Sequence, residues 1–246
     1  MSVKQKHKEF SKKDISIILP INNEEAVLQK NCLALFQFLK KDKNIRNFEI
    51  LLCDNGSSDK SLAIAKSLEK KYKQHKQIRA FHSPKRGLGI GIQLGIDNAR
   101  YDNLFFYAID IPFGFDIIDQ SLAALESADV VIGSKGHPKS IIKRSISRRM
   151  YSKMLNTALL LLFRLNVKDT QGSIMFRKSD VKKFRKSLDS DTAFLQTQII
   201  LYSKKHGSKI KEIPIRFIQK SSKTRMKPFK DGLRMAKELI KERARM

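Results

Sequence analysis

Asp110 closes the apolar stretch NLFFYAID, and Pro112 follows two residues later. A lone carboxylate at the mouth of a strand is a candidate for binding a ligand, or else a cap for the turn that follows. Four other polar clusters also end apolar runs: NNEE at Asn22–Glu25, DNGSSDKS at Asp54–Ser61, SPKRGLGIG at Ser83–Gly91 and GSKGHPK at Gly133–Lys139. Each taken alone is also ordinary turn and capping chemistry, where Asn, Asp, Gly and Ser recur. Ligands of open α/β sheets sit beyond the carboxyl ends of the strands, so the five clusters matter as a set.

The elements that must position them alternate. Apolar runs of strand length, ISIILPI, FEILLC, IRAFHS, LFFYAI and DVVIG, are each followed by a segment with helical spacing. Strands without polar alternation are buried on both faces, which predicts a mostly parallel central sheet flanked by helices, an α/β fold. A long helical region over Ser140–Phe163, a short strand SIMF, a helix over Thr192–Lys205 and a strand IKEIPIRF complete the pattern. The expected organisation is a basic tail over residues 1–13, one α/β domain over 14–219 and a basic amphipathic helix over 220–246.

With 246 residues and 41% hydrophobic content, the chain can bury a full core. Its formal charge of +26 implies an anionic partner: nucleic acid, an anionic membrane surface or a phosphorylated small molecule. Two cysteines, Cys32 and Cys53, are too few for a disulfide framework and suit a reducing compartment. The basic N-terminus has no apolar run behind it, and TALLLLF at Thr157–Phe163 is far short of the roughly 20 residues that span a bilayer. PINNEE stands where a dinucleotide-binding fold needs G-x-G-x-x-G, and no P-loop lysine follows the later glycines. No RNP motif, KH loop or zinc-ligand spacing accompanies the charge, so nucleic acid is not the expected partner.

Together, ILPINNEE, CDNGSSDKS, PKRGLGIGIQLGIDNA, a strand ending in Asp and VVIGSK resemble the family 2 glycosyltransferases of the GT-A fold, a Rossmann-like α/β architecture. Within that family the chain is most similar to dolichyl-phosphate mannose and glucose synthases, from about Ile15 to Lys223. The resemblance implies that a nucleotide-diphosphate sugar contacts Pro20, Asn23, Glu24, Asp54, Gly56, Ser57, Arg86, Gly87 and Gly89. In that role Asp54 accepts a ring N–H of a pyrimidine or guanine, Asn23 and Glu24 bond base or ribose, and the RGLG backbone approaches the pyrophosphate beside Arg86. It also implies Mg²⁺ or Mn²⁺ on Asp110, but the family's D-A-D motif falls on Ala108, Ile109 and Asp110, so the first acid is missing. Asp169 in DTQGS matches a family loop, while Gln196 and Gln198 stand where family acids would be.

The acceptor side is basic. No acidic residue lies between Val130 and Lys168. Arg148, Ser152 and Asn156 share a helix face, with the same spacing as in the resembled synthases. There this helix rests at the membrane, so the resemblance implies that Lys135, Arg144, Arg148, Ser152 and Lys223 bind the phosphate of a polyprenyl (dolichyl) acceptor. Asp110, Asp169 and Arg148 are then the catalytic candidates. If the C-terminal segment is helical, Phe229, Leu233, Ala236, Ile240 and Ala244 form one apolar stripe, which either lies on a membrane or packs on the sheet. The expected location is the cytoplasmic face of a membrane, held peripherally. The alternatives are the same donor with a different acceptor, or a degenerate GT-A protein that binds nucleotide sugar or anionic lipid without turnover.

Overall fold

The computed structural model describes residues 12–73, 77–142, 146–217 and 228–246. The first half alternates strand and helix: β1 (Lys13–Ile21), α1 (Leu28–Lys41), β2 (Ile45–Asn55), α2 (Ser61–Lys71), β3 (Ile78–Ser83), α3 (Leu88–Asn98), β4 (Asn103–Phe106) and α4 (Asp116–Leu125). Then follow β5 (Val130–Ser134), β6 (Ile141–Ile142), α5 (Ile146–Phe163), β7 (Ser173–Arg177), α6 (Lys178–Lys182), α7 (Phe194–Lys205), β8 (Ile210–Pro214), β9 (Arg216–Phe217) and α8 (Pro228–Arg245). The main sheet has seven strands in the order β3-β2-β1-β4-β7-β5-β8, and β6 pairs with β9 separately. Only β7 runs antiparallel, between β4 and β5, so the expected mostly parallel sheet is present.

The sheet separates two cores. On one face Ile17, Ile50 and Phe105 meet α1, α2 and α4 through Leu35, Ala65 and Ile118. On the other, Ile18, Leu51 and Ile132 meet α3, α5, α7 and α8 through Ile92, Leu159, Ile199 and Leu239. Burial on both faces is why β1 and β2 lack polar alternation; each such side chain contributes roughly 1.5–3 kcal/mol.

The stretch ending on Asp110 departs from expectation. β4 stops at Phe106, and only the Tyr107 N–H continues the ladder, donating to Ile18 O at 3.0 Å. The Tyr107 hydroxyl accepts the Phe113 N–H and donates to Gly114 O, so the following residues curl into a loop. Burial pushes the phenol well above its ordinary value, which keeps it a donor. Asp110 is therefore an exposed loop residue, within the turn closed by the Ile111 N–H on Ala108 O.

α8 packs beside α5 and over α7 with a face other than the Phe229–Ala244 stripe, so of the two expectations for that stripe its described members do not pack on the sheet. Leu239 is buried and Met235 lies against the core, whereas Ala236, Ala244 and Ile240, the last 68% exposed, face outward. The side chains of Phe229 and Leu233 lie outside the described set. The inner face is polar as well as apolar. Buried Glu242 accepts from the Tyr202 hydroxyl at 2.6 Å and from Gln198 Nε2 at 2.7 Å. Burial and that bond push the Tyr202 phenol up to about 12. Gln198 also donates to Asp189 and accepts the Ser190 N–H, while Asp189 pairs with Lys241 and Arg245. Burial opposes charge on Asp189, but bonds from Gln198, Arg245 and Lys241 outweigh it and hold the carboxyl down at about 2.

Gln198 is thus the neutral bridge between two carboxylates, and an acid in its place would set a second buried negative charge beside Glu242. Gln198→Glu is expected to destabilise the fold by about 2–4 kcal/mol at neutral pH. Thermal unfolding should show a fall of several degrees that shrinks as pH drops into the carboxylate range; an unchanged midpoint would show that the bridge carries no stability.

Candidate functional site at the strand ends

The parallel register places Ile21, Asp54 and His82 side by side at the ends of β1, β2 and β3. The first two loops are then tied to each other. Asn22 Nδ2 donates to Asn55 O and Gly56 O, each at 3.1 Å. Asn23, at φ 57°, donates its N–H to Ser57 Oγ, and its own Oδ1 receives the Ser58 N–H at 2.8 Å. The Glu24 N–H donates to Ser61 Oγ, and Glu25 receives the Lys60 N–H. Gly56 turns at φ 81°, a conformation that favours glycine, with the backbone of Pro84 and Arg86 close by. Of the expected donor contacts, Asn23 Oδ1 and Ser57 Oγ are therefore engaged in holding the platform. Pro20 is buried in β1 with its ring toward Gly91, so that ring serves the core.

Asp54 is the sequence candidate beside this platform. It is fully buried, its Oδ2 lies 2.7 Å from His82 Nδ1, and its Oδ1 has no hydrogen-bond partner. The neighbouring Asn55 Oδ1 is likewise buried and unpaired, on the opposite side of the strand near Gly91. Two orphaned acceptors at one strand end are costly in a finished core and suit a place where a ligand supplies donors. His82 was not among the sequence candidates; the signal was its position at the end of IRAFHS, level with Asp54.

The glycine-rich turn behaves differently from expectation. The Gly89 N–H donates to Asp191 O at 3.0 Å rather than standing open for a pyrophosphate. A Cβ on Gly87 would lie 2.1 Å from Asp191 O, and one on Gly89 the same distance from Ser190 O. These two glycines admit the 190–192 backbone, a close approach that a side chain at either position would block. That segment is gripped from α8, because Ser190 and Thr192 hydroxyls both donate to Glu238. Arg86 is exposed just before the turn.

Asp169 and Lys135 come from different loops and meet each other. Lys135 Nζ lies 2.9 Å from Asp169 Oδ2, the same oxygen receives the Lys135 N–H, and Asp169 Oδ1 receives the Gln171 N–H. Lys135 also donates to Gln171 O at 2.6 Å. Both Asp169 oxygens are thus bonded within the protein, and the Lys135 ammonium is tied inward to Asp169 and Gln171. Ser152 does line a cleft of about 340 Å³, together with Arg149, Lys153, Asn156 and Lys168. Asn156 braces it by donating to Lys168 O. Arg149, Lys153 and Lys168 belong to the basic run but were not singled out in sequence. Arg144 and Lys223 lie outside the described residues; Arg148 lies on α5, and its side chain is outside the described set.

Outward from the cleft, α5 exposes Ile146, Met150, Met154 and Leu161, the last at 76%, an apolar stripe at helical spacing. No described helix is long and apolar enough to cross a membrane. Among the described residues no three His, Cys, Asp or Glu side chains gather as a metal site. A cation would have Asp110 as its protein carboxylate, a donor set that fits Mg²⁺ or Mn²⁺ only where substrate phosphates and water complete the shell.

Comparison with known proteins agrees with this architecture. The model of Glycosyl transferase family 2 matches residues 16–189. Dolichyl-phosphate beta-glucosyltransferase of Drosophila melanogaster is 24% identical over 92% of this chain and 73% of its own length. An uncharacterised protein of Methanocaldococcus jannaschii is 29% identical over 85% of this chain and 84% of its own. Glucosyl-3-phosphoglycerate synthase from Mycobacterium tuberculosis, solved with Mn²⁺, uridine diphosphate and glucosyl-3-phosphoglycerate, superposes with a TM-score of 0.64 at 15% identity, covering 93% of this chain and 77% of that one. The family match begins within β1 and reaches Asp189, spanning every strand end described above, and on that ground the chain belongs to glycosyl transferase family 2.

Proposed function

We propose that this glycosyltransferase moves a hexose from a nucleotide-diphosphate sugar to a polyprenyl phosphate at a membrane surface. The observation that carries the acceptor is the cleft lined by Arg149, Lys153 and Lys168, opening beside the outward apolar stripe of α5. A phosphate finds cations there while its lipid chain finds Met150, Met154 and Leu161. The dolichyl-phosphate glucosyltransferase relative supports the same acceptor, and the uridine diphosphate in the structural neighbour supports a nucleotide donor.

A lipid phosphate is anionic at neutral pH, so its oxygen attacks the anomeric carbon without a strong base, in keeping with the full engagement of Asp169. The nucleoside diphosphate leaves as the new bond forms, and a single displacement inverts the anomeric centre. The platform of Asn22, Asn23, Ser57 and Asp54 seats the nucleoside end, and Arg86 stands near the leaving diphosphate. A divalent cation held by Asp110 and the donor phosphates would supply positive charge to that leaving group. Ala108, in place of a first acid, favours a second reading in which the chain binds the donor without turnover.

Two experiments separate these readings. Labelled sugar from UDP-glucose, GDP-mannose or UDP-GlcNAc should pass to dolichyl phosphate in liposomes with Mg²⁺ or Mn²⁺ but not with EDTA. Asp110→Ala should lower the rate about 100-fold or more, the scale of losing charge stabilisation at a leaving group; binding without transfer from any donor would favour the non-catalytic reading. Sedimentation with anionic vesicles should weaken about tenfold or more when Met154 and Leu161 are both changed to Asp, since charged groups replace apolar area on the docking face. Unaltered sedimentation would remove α5 from the membrane contact.

A further inference from the structure

The 190–192 segment is held from three helices. α3 takes it through the Gly89 N–H on Asp191 O and through Gln93 Nε2, which donates to Ser190 O at 3.3 Å. α7 takes it through Gln198, whose Oε1 accepts the Ser190 N–H at 3.0 Å. α8 takes it through Glu238, which accepts the Ser190 hydroxyl on Oε1 at 2.9 Å and the Thr192 hydroxyl on both oxygens, at 3.0 and 2.9 Å. The segment and α8 both lie past Asp189, where the family match ends.

The glycine turn sits between two neighbours. On one side it meets the second strand-end loop, where a Cβ on Gly56 would lie 3.1 Å from Pro84 O and 3.2 Å from Arg86 N. On the other, Gly87 and Gly89 admit the Asp191 and Ser190 carbonyls to 2.1 Å from where their own Cβ atoms would stand. Arg86 is carried, exposed, on the backbone between these contacts. The first neighbour is fixed by the sheet, and the second is fixed in part from α8. We propose that Glu238 is a positioning residue for donor binding: by clamping Ser190 and Thr192 it holds the 190–192 backbone against the glycine turn and so sets where Arg86 meets the diphosphate. This rests on the nucleotide-donor reading above, in which Arg86 stands near the leaving group.

The test is calorimetric titration of the full chain with UDP, UMP, GDP and GMP, in Mn²⁺ or Mg²⁺, for wild type, Glu238→Ala, Glu238→Asp and Glu238→Gln. Glu238→Ala removes the acceptor of both hydroxyls. It should raise the Kd of whichever diphosphate wild type binds about tenfold at unchanged stoichiometry, and that of the matching monophosphate no more than about twofold, the scale of losing one well-placed charged contact. Glu238→Asp keeps the carboxylate but falls a methylene short, and should weaken diphosphate binding about threefold. Glu238→Gln keeps an acceptor oxygen for the two hydroxyls and should stay within about twofold of wild type. A merely structural role lowers the fraction of chains that bind and leaves the Kd of the folded remainder alone. Wild-type Kd values in Glu238→Ala or Glu238→Asp, a loss seen only in stoichiometry, or an equal loss for mono- and diphosphate overturns the clamp. Failure of wild type to bind either diphosphate overturns instead the donor reading on which it rests.

Discussion

The full-length parallel pairing of β1 with β2 is the constraint on which the site depends. It runs from Lys13↔Ile45 to Ile21↔Asp54, and both strands are covered on two faces. A slip of one residue would turn every apolar side chain to the other face, so burial fixes the register. Because the register is fixed, the two loops beyond it arrive where Asn22, Asn23 and Glu25 can bind the second loop's backbone, and Asp54 arrives beside His82. The polar chemistry at the strand ends is held by apolar packing beneath it rather than by the loops alone.

The alternation of strand and helix was readable because doubly buried strands leave unbroken apolar runs, and IRAFHS and the helix from Leu88 occur as expected. The antiparallel entry of β7 was not, since SIMF carries no sign of direction. The end of β4 was misplaced because Tyr107 and Ile109 are buried like strand residues, although the first anchors a loop through its hydroxyl. Site residues were readable by type and position along strands, and unreadable where a partner comes from far away. Lys135 and Asp169 looked like two independent functional groups until the fold joined them. Gly87 and Gly89 were readable as a turn, but not as the place where the distant 190–192 segment packs.

The same distance effect changes the meaning of the two glutamines on α7. In sequence they mark lost acids. In the fold, Gln198 is buried between Asp189 and Glu242, so the negative charge is present but supplied by neighbours, and the amide is what lets them coexist. Ala108 stands where the resemblance expects a first acid, and among the described residues no three His, Cys, Asp or Glu side chains gather as a metal site.

The order of the strands along the chain divides the molecule in time. β1, β2, β3 and β4, with the first strand-end loops, are all synthesised by Phe106, although the helices that finish covering their two faces, α4 and α7 among them, come later. The cationic cleft needs α5 and the 165–168 segment, and the sheet under it closes only when β7 inserts between β4 and β5 and β8 joins the edge. Pairings of such sequence separation form slowly, and a chain emerging from the ribosome folds its N-terminal part first. The half that carries the first strand-end loops is therefore made while the half that carries the cationic cleft is still to come. The outward apolar stripe of α5 stays uncovered within the finished fold, and uncovered apolar surface of this kind is an aggregation hazard while the chain is incomplete.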